Sequence, residues 1–236
     1  MKIKYIHHSG FIVEDDKLVI IIDCCRLKKN SAEATGCAGK NLYVLASHVH
    51  GDHFDRNIMS FNGVFKWILS EDIRKKASRN ENVIFLAKGD VYRDELVTIK
   101  AYGSTDEGVS FYIEAGGYKI FHAGDLNNWH WNEEETPEDA MKNERMYLDE
   151  LALIASEVPA LDAAMFPVDP RLGRDYTRGA EQFLDSIKVE LFLPMHFWDN
   201  HKAATAFKPA AEQRGCRFAD ISKTGEVFTL GESPAA

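Results

Sequence analysis

The stretch His48-Val49-His50-Gly51-Asp52-His53 decides how this chain is interpreted. It gathers three imidazoles and one carboxylate within six residues, and these are ligands that Zn²⁺ and similar divalent ions accept. The preceding run Tyr43-Val44-Leu45-Ala46-Ser47 is typical of a buried strand, so the motif is predicted to lie on a loop at a strand end. Because a loop can direct side chains two ways, this one segment can serve two neighbouring metal ions.

Length and composition are those of a globular protein with a large core. The chain has 236 residues, of which 45% are hydrophobic and 11% aromatic, and we predict a single domain over residues 1–236. No apolar run approaches the ~20 residues of a membrane helix, so no membrane association is expected. The first residues lack a signal-peptide pattern, and a cytoplasmic location is the default expectation. The four cysteines contain no C-x-x-C pair and are expected to be reduced.

The net charge of −9 bears on the class of partner. Contacts to nucleic-acid phosphates need clustered Lys and Arg, so a nucleic-acid partner is disfavoured. A small-molecule substrate is the favoured partner, and a homo-oligomer remains open.

The pattern of apolar residues predicts strands and helices that alternate along the chain. Short apolar or alternating runs bounded by turn residues predict strands at 2–6, 11–14, 17–23, 43–47, 66–69, 83–86, 96–102, 109–114, 118–123, 161–167 and 191–194. Helices are predicted at 57–61, 71–78, 137–157, 178–187 and 203–214. Thr136 is the expected N-cap before Pro137, Gly215 is the expected C′ glycine, and Gly116-Gly117 is a hairpin turn. This order favours two sheets covered by helices in one layered domain.

The candidate ligands all lie at predicted strand ends. His48 follows the strand at 43–47, His122 and Asp125 close the strand at 118–123, and His196 follows the strand at 191–194. Strand ends on one edge of stacked sheets converge in space, and loops held by a rigid scaffold carry function. The sequence therefore predicts one site built from distant segments.

The three segments together resemble the metallo-β-lactamase superfamily. Its H-x-H-x-D-H motif stands at 48–53, Phe121-His122-Ala123-Gly124-Asp125 is similar to its G-D turn, and Leu193-Pro194-Met195-His196 is similar to the strand that delivers its last histidine. The opening segments His7-His8-Ser9-Gly10-Phe11 and Ile20-Ile21-Ile22-Asp23 resemble those of the branch containing ascorbate-phosphate lactonases. The resemblance spans residues 1 to about 200. It implies an α+β fold, a four-layer αββα sandwich of two mostly antiparallel or mixed sheets with the metal site at one edge.

The resemblance also implies a ligand set. His48 and His50 serve a first metal, Asp125 bridges, and the second metal takes three residues, which are Asp52, His53 and His196. The first metal normally has a third histidine before the G-D turn, but Gly103 or Ser104 stands at that place here. The first metal is then weak, absent, or completed by Asp106, by a water or by the substrate. Asp106 and His130 are the nearest polar candidates.

A metal at these positions predicts hydrolysis. A divalent cation lowers the pKa of bound water to ~7, which gives a nucleophile for a carbonyl carbon or phosphorus. Asp52 is the predicted catalytic residue, which orients the nucleophile or accepts its proton while it also binds metal. Asp23 is predicted to brace a ligand histidine. His8, Asp106 and His130 are predicted to bind substrate. Zn²⁺ is the expected ion, and Mn²⁺ or Fe also accept these ligands.

Several assignments keep two interpretations. Trp129 and Trp131 either line a substrate pocket or pack in the core. His122 is favoured as a structural residue. Arg171 either binds a substrate anion or forms a surface salt pair. The favoured function is a hydrolase of a small ester, lactone or phosphoester. The alternatives are a nuclease of the same fold and a degenerate metal-binding member without hydrolase activity. A two-iron redox member is disfavoured because that branch usually carries a flavin domain.

Overall fold

Two sheets of seven strands each form the centre of the molecule. The computed structural model describes residues 1–27, 39–78 and 80–231. In spatial order, the first sheet contains β14 (Val227–Thr229), β1 (Lys2–His7), β2 (Gly10–Glu14), β3 (Leu18–Ile22), β4 (Asn41–Ala46), β5 (Val64–Ser70) and β6 (Val83–Leu86). The second sheet contains β13 (Arg217–Phe218), β12 (Lys188–Met195), β11 (Ala160–Pro167), β10 (Tyr118–His122), β9 (Ser110–Ala115), β8 (Val97–Tyr102) and β7 (Val91–Arg93).

Each sheet is half antiparallel and half parallel. In the first sheet, β14 to β3 pair antiparallel and β3 to β6 pair parallel. In the second, β7 to β10 pair antiparallel and β10 to β13 pair parallel. The predicted α+β sandwich of two mixed sheets is therefore confirmed.

Helices follow mainly in the second half of the chain. Among the described residues, the α-helices are α1 (Pro137–Glu157), α2 (Arg178–Ser186), α3 (His201–Ala206) and α4 (Lys208–Gln213), and the 3₁₀-helices are Arg56–Ser60, Glu71–Lys75 and Pro170–Asp175. Thr136 caps α1 by accepting a hydrogen bond from the Asp139 backbone N–H, as predicted. The predicted Gly116-Gly117 turn and the C′ glycine Gly215 are also confirmed, since all three have positive φ. Within the described ranges, no helix combines the length and apolarity needed to cross a bilayer.

Three predicted helices differ from the structure. The single helix predicted at 203–214 is wrong, because the chain forms α3 and α4, which are separated at Phe207. Pro209 lies in the first turn of α4, where its missing N–H is tolerated, whereas inside a continuous helix it would remove a hydrogen bond. The helices predicted at 57–61 and 71–78 are short 3₁₀-helices. Each buries a single residue, Ile58 or Ile73, which is too little apolar surface to stabilise a longer helix.

The first sheet is buried on both faces. All five residues of β3 are buried: Ile20 and Ile22 belong to the cluster shared with the second sheet, and Val19 and Ile21 belong to an outer cluster. Ile58 and Ile73 of the 3₁₀-helices join that outer cluster. Burial on both faces explains why β3 is a continuous apolar run rather than an alternating one. Helices α1 and α2 pack on the second sheet, through side chains such as Tyr147 and Phe183.

The strand directions bring the loops of both sheets to one edge. In the first sheet, β1, β3 and β4 run the same way, and in the second sheet β8, β10, β11 and β12 do so. At this edge the His196 backbone N–H, just beyond β12, donates to the His8 carbonyl just beyond β1, at 3.3 Å. The residues that follow these strands therefore meet between the two sheets.

Candidate metal centre

Asp125 lies at the centre of the converging side chains, and its two carboxylate oxygens face different histidines. Oδ1 lies 3.1 Å from His53 Nε2 and 3.3 Å from His196 Nε2. Oδ2 lies 3.4 Å from His48 Nε2. The far-apart segments of the sequence thus meet as predicted, and the carboxylate has the orientation of a bridging ligand.

His8 and Asp52 complete the side that faces Oδ1 of Asp125. Asp52 Oδ2 lies 3.2 Å from His8 Nε2 and 3.9 Å from His53 Nε2. Together with His196 these residues form a group whose donor atoms all lie within 4.8 Å of one another. The sequence assigned His8 to substrate binding, but its side chain is buried beside the ring of His196. His8 thus lies with the residues that could hold an ion, and its substrate-binding role stays a prediction.

The side of the cluster that faces Oδ2 of Asp125 is more exposed to solvent. His50 Nδ1 lies 3.7 Å from Asp106 Oδ2, and both side chains are about half exposed, at 43% and 50%. With Asp125 they form another group of donor atoms within 4.8 Å of one another. Asp106 is thus close to the histidine motif. It is one of the two residues that the sequence analysis named as candidates to complete the first metal site.

The other predicted candidate, His130, does not reach this cluster. Its ring is buried, with Nε2 3.2 Å from the Asp175 carbonyl and Nδ1 accepting the Asn132 backbone N–H. Because both ring nitrogens are used by the backbone, the predicted ligand and substrate-binding roles of His130 are corrected to a structural one. His122 is similar, since Nε2 donates to the Ser9 carbonyl and Nδ1 accepts from the Gly124 N–H.

The outward nitrogens of three histidines are held by hydrogen bonds. His53 Nδ1 lies 2.7 Å from Asp23 Oδ2, His48 Nδ1 lies 3.0 Å from Ser47 Oγ, and His196 Nδ1 lies 2.8 Å from Asp169 Oδ2. Such contacts fix ring orientation and leave Nε2 directed inward, which is the arrangement of metal-binding histidines. The sequence predicted the contact of Asp23 but missed those of Ser47 and Asp169.

The contact of Asp169 with His196 could have been predicted from the order of the strands in the sheet. Strands β11 and β12 pair in parallel with Pro167 opposite Met195, so the residues just beyond them lie at the same level. His196 is the first residue beyond β12, and Asp169 is the second residue beyond β11. An acidic residue within two positions of the end of the strand that neighbours a ligand-bearing strand is therefore a candidate brace.

Burial and paired charges set the pKa values in this cluster. Burial lowers the pKa of His48 and of His8 to about 4. Burial also opposes protonation of His53, but the carboxylates of Asp125 and Asp23 outweigh it and raise the His53 pKa to about 10. Without a cation, a proton on His53 thus balances the buried carboxylates, and a divalent ion would replace this proton.

The inward-facing atoms fit a divalent ion. In the described part of the chain, ten buried side-chain atoms have no hydrogen-bond partner, and five of them face this cluster: Nε2 of His8, His48, His53 and His196, and Oδ1 of Asp125. Buried polar atoms are normally hydrogen-bonded, so such a convergence needs a partner. Two ligands about 2.1 Å from one ion in tetrahedral geometry are roughly 3.4 Å apart. The separations of 3.1–3.4 Å around Asp125 are close to this value.

The backbone is strained around the same cluster. The five non-glycine residues with positive φ in the described ranges are His8, Asp23, Trp131, His196 and Trp198. Trp198 packs its ring 4.3 Å from that of His8. Strained residues concentrate at functional sites, where the surrounding structure holds them in place.

A cavity of about 320 Å³ opens beside the cluster. It is lined by Thr105, Asp106, Asp125, Trp129, Trp131, Glu135, Asn143, Arg171 and His196. Trp129 and Trp131 stack with ring centroids 6.1 Å apart, so the pocket interpretation of these aromatics is supported. Arg171 pairs with Asp169, as one of its two sequence-based interpretations predicted, and it also lines the cavity, while binding of a substrate anion stays a prediction.

Comparison with known proteins now gives the family. The β-lactamase superfamily domain matches residues 2–140 of the chain, which includes the histidine motif and Asp125. The chain belongs to the metallo-β-lactamase superfamily. Among curated superfamily relatives, a UPF0173 metal-dependent hydrolase of Symbiobacterium thermophilum is 24% identical over 253 residues, covering 98% of this chain and 100% of the relative.

Solved structures of the superfamily fold agree with the architecture. Igni18, a metallo hydrolase from Ignicoccus hospitalis, aligns with a TM-score of 0.68 and 21% identity over 98% of this chain and 99% of that one. CmlA, a diiron β-hydroxylase from Streptomyces venezuelae, aligns with a TM-score of 0.65 and 10% identity over 97% of this chain and 54% of that one. At these identities the likeness concerns the fold.

Asp23→Asn is expected to weaken metal binding without removing a ligand. The Asp23 carboxylate is buried and accepts hydrogen bonds from His53 Nδ1, the Ser47 backbone N–H and the Ser47 hydroxyl. An amide at this place satisfies fewer of these donors, and loss of such an outer contact costs about 10–100-fold in metal affinity. Competition with a chelator of known affinity measures the change.

Asp94→Asn is the matched control for this substitution. Asp94 accepts hydrogen bonds from the hydroxyls of Tyr43 and Tyr92 and from two backbone N–H groups, but it lies outside the metal centre. We expect it to lower stability while the metal affinity stays native. Equal losses of affinity in the two variants would show that Asp23 acts only through general stability.

Proposed function

We propose that this protein is a metal-dependent hydrolase that acts on a small ester, lactone or phosphoester through two cation sites that share Asp125. The first cation site comprises His48, His50 and Oδ2 of Asp125. The second cation site comprises His8, Asp52, His53, His196 and Oδ1 of Asp125. The observation that carries the proposal is the set of buried imidazole nitrogens without hydrogen-bond partners that face the two oxygens of Asp125.

The two sites supply the chemistry that hydrolysis needs. Divalent ions bound there would lower the pKa of water towards neutrality and polarise the substrate oxygen. Zn²⁺, Mn²⁺ and Fe all accept this set of imidazoles and carboxylates. The UPF0173 relative of Symbiobacterium thermophilum is named a metal-dependent hydrolase, which supports the same class of reaction here.

Asp52 is the residue that we propose orients the attacking water. The His8 imidazole, 3.2 Å away, lowers the pKa of Asp52, so the Asp52 carboxylate stays ionised at neutral pH and can accept a hydrogen bond. About a third of its side chain is exposed, unlike the buried carboxylate of Asp125. A carboxylate within reach of the water can fix the direction of attack and take up the proton.

The cavity beside the cluster supports a small substrate that carries a negative charge. Its volume of about 320 Å³ lies at the small end of the range for ligand pockets. The Arg171 guanidinium lies 5.2 Å from the ring of Trp198 and 5.9 Å from the ring of Trp131, which holds a fixed cation at the cavity wall. A guanidinium matches carboxylate and phosphate groups, so we propose that Arg171 binds the anionic part of the substrate.

The nuclease alternative has less support. Asp106 and Glu135 line the cavity, and the whole chain carries a net charge of −9. A track for a phosphate backbone needs several Lys or Arg side chains along a groove. We therefore keep nucleic acid as an outcome of the test and not as the proposed substrate.

Hydrolysis assays on matched histidine variants test the proposal. Native protein, chelator-treated protein, His53→Ala and His201→Ala are compared on lactones, carboxylic esters, phosphodiesters and single-stranded RNA. His201 opens α3, outside both cation sites, so His201→Ala should keep native activity. Loss of His53 is expected to cost at least about 100-fold in kcat/KM, since even outer-shell contacts cost 10–100-fold.

The substrate panel separates the alternatives. Metal-dependent cleavage of RNA alone would replace the proposed function with the nuclease. Metal binding without turnover of any compound would favour the degenerate member. Equal rates for the native protein and His53→Ala on every hydrolysed compound would show that this cluster does not catalyse the reaction.

A further inference from the structure

We propose that Asp106 completes the first cation site, which gives that site two imidazoles and two carboxylates and makes it select a harder ion than the second. This inference rests on the proposed metal-dependent function and names a ligand and an ion preference for one of its two sites. It is carried by the position of Asp106 between His50 and Asp125.

The first cation site has fewer ligands than the second when Asp106 is left out. It has the buried Nε2 of His48, Oδ2 of Asp125 and the half-exposed ring of His50. Zn²⁺ sites with protein ligands usually provide at least three side chains and often four. The second cation site, by contrast, already has three imidazoles and two carboxylates. A further protein ligand on the first side would raise its count from three side chains to four.

The end of strand β8 cannot supply that ligand at Gly103. A Cβ atom at this glycine would lie 2.8 Å from Oε2 of Glu150, closer than real Cβ contacts allow. The Glu150 carboxylate fills the space, accepts the Gly103 N–H at 2.6 Å and pairs with Lys88. A side chain at position 103 would have to displace this carboxylate, and the loop that follows is the nearer source of a ligand.

Asp106 is the residue of that loop whose carboxylate faces the site. Its Oδ2 lies 3.7 Å from His50 Nδ1, and the two side chains converge with Asp125. Its neighbour Glu107 lies 3.5 Å from Nε2, the other ring nitrogen of His50. Glu107 therefore resembles Asp106 in its charge and in its contact with His50. Among the described residues, however, Glu107 belongs to no group of converging donor atoms with Asp125.

This ligand set has a chemical consequence. Carboxylates suit Mn²⁺ and other hard ions, whereas imidazoles suit Zn²⁺. The first cation site would hold two of each and is half exposed, and the second is buried and rich in imidazole. The two sites should thus differ in ion preference and in exchange rate, with the first site the more labile.

Manganese binding to matched variants tests the inference. Metal-free native protein, Asp106→Asn and Glu107→Gln are titrated with Mn²⁺, and bound ion is counted by electron paramagnetic resonance and elemental analysis. The native protein should bind two Mn²⁺ with the spin-coupled spectrum of ions about 3.5–4 Å apart. Asp106→Asn should bind the weaker ion at least about 10-fold less tightly and lose the coupled spectrum. Glu107→Gln should behave as native.

The outcomes distinguish this inference from the proposed function. Two ions of native affinity in Asp106→Asn, or equal weakening in both variants, would overturn the role of Asp106 and leave the proposed hydrolase in place. Failure of the native protein to bind any Mn²⁺ or Zn²⁺ would overturn both. The ion retained in the second cation site of Asp106→Asn, together with a native circular dichroism spectrum, shows that the variant is folded.

Discussion

Asp125→Asn is expected to abolish the paired metal centre and to lower kcat/KM by at least about 10³-fold. The two oxygens of Asp125 face different sides, with His53 and His196 near Oδ1 and His48 near Oδ2. An amide has one neutral acceptor and cannot hold two cations. Charge stabilisation by metal ions is worth several kcal/mol, and each 1.36 kcal/mol is tenfold in rate. Elemental analysis and steady-state kinetics measure the two losses.

Asp162→Asn is the control for this substitution. Asp162 lies on β11 and accepts the Lys119 backbone N–H, a contact that an asparagine oxygen can keep. The variant carries the same change of charge in the same sheet and should bind metal and turn over as the native protein does. A metal content of two ions in Asp125→Asn would show that this carboxylate does not bridge.

Gly108→Ala is expected to destabilise the metal-free protein by about 2–5 kcal/mol. A Cβ atom there would lie 2.1 Å from the Ser47 carbonyl oxygen and 2.4 Å from the His48 Cβ, so the loop must move off the motif. Overpacking of this kind costs about 1–3 kcal/mol, and the φ of +72° adds about 1–2 kcal/mol for a residue with a side chain. Urea denaturation at constant m measures the change in the free energy of unfolding.

Gly117→Ala separates the two contributions. This glycine has a φ of +82°, but a Cβ atom placed on it meets nothing within 4 Å. It should therefore show only the backbone cost, about 1–2 kcal/mol. Equal destabilisation of the two variants would mean that the contact of Gly108 with the histidine motif is not close-packed.

The fold was predictable because its signals are local and strong. The run Leu18–Ile22 and the capped helix at Pro137–Glu157 carry their patterns within a few residues. The short edge strands Val91–Arg93, Arg217–Phe218 and Val227–Thr229 were missed, because two or three residues hold too little periodicity to detect. Arg217–Phe218 and Val227–Thr229 also depend on pairing with strands far away in sequence, which no local pattern encodes.

The centre of the site was predictable to a similar degree. His48, Asp125 and His196 were placed by their positions at strand ends and His53 by the H-x-H-x-D-H motif, and the structure brings the four together. The role of His130 was not predictable, because its hydrogen bond to the Asp175 carbonyl joins parts of the chain 45 residues apart. The order of residues along a loop does not say which side chain turns towards the cavity and which turns towards the backbone.

The residues with left-handed backbone conformation around the site limit how far the stability of the protein can be raised. His8, Asp23, Trp131, His196 and Trp198 together cost at least about 5 kcal/mol relative to relaxed backbone, a sum comparable with the net stability of many domains. The two sheets must offset that cost. Efforts to raise heat tolerance by consensus design should therefore act on the distant surface, since relaxing any of these five residues would trade function for robustness.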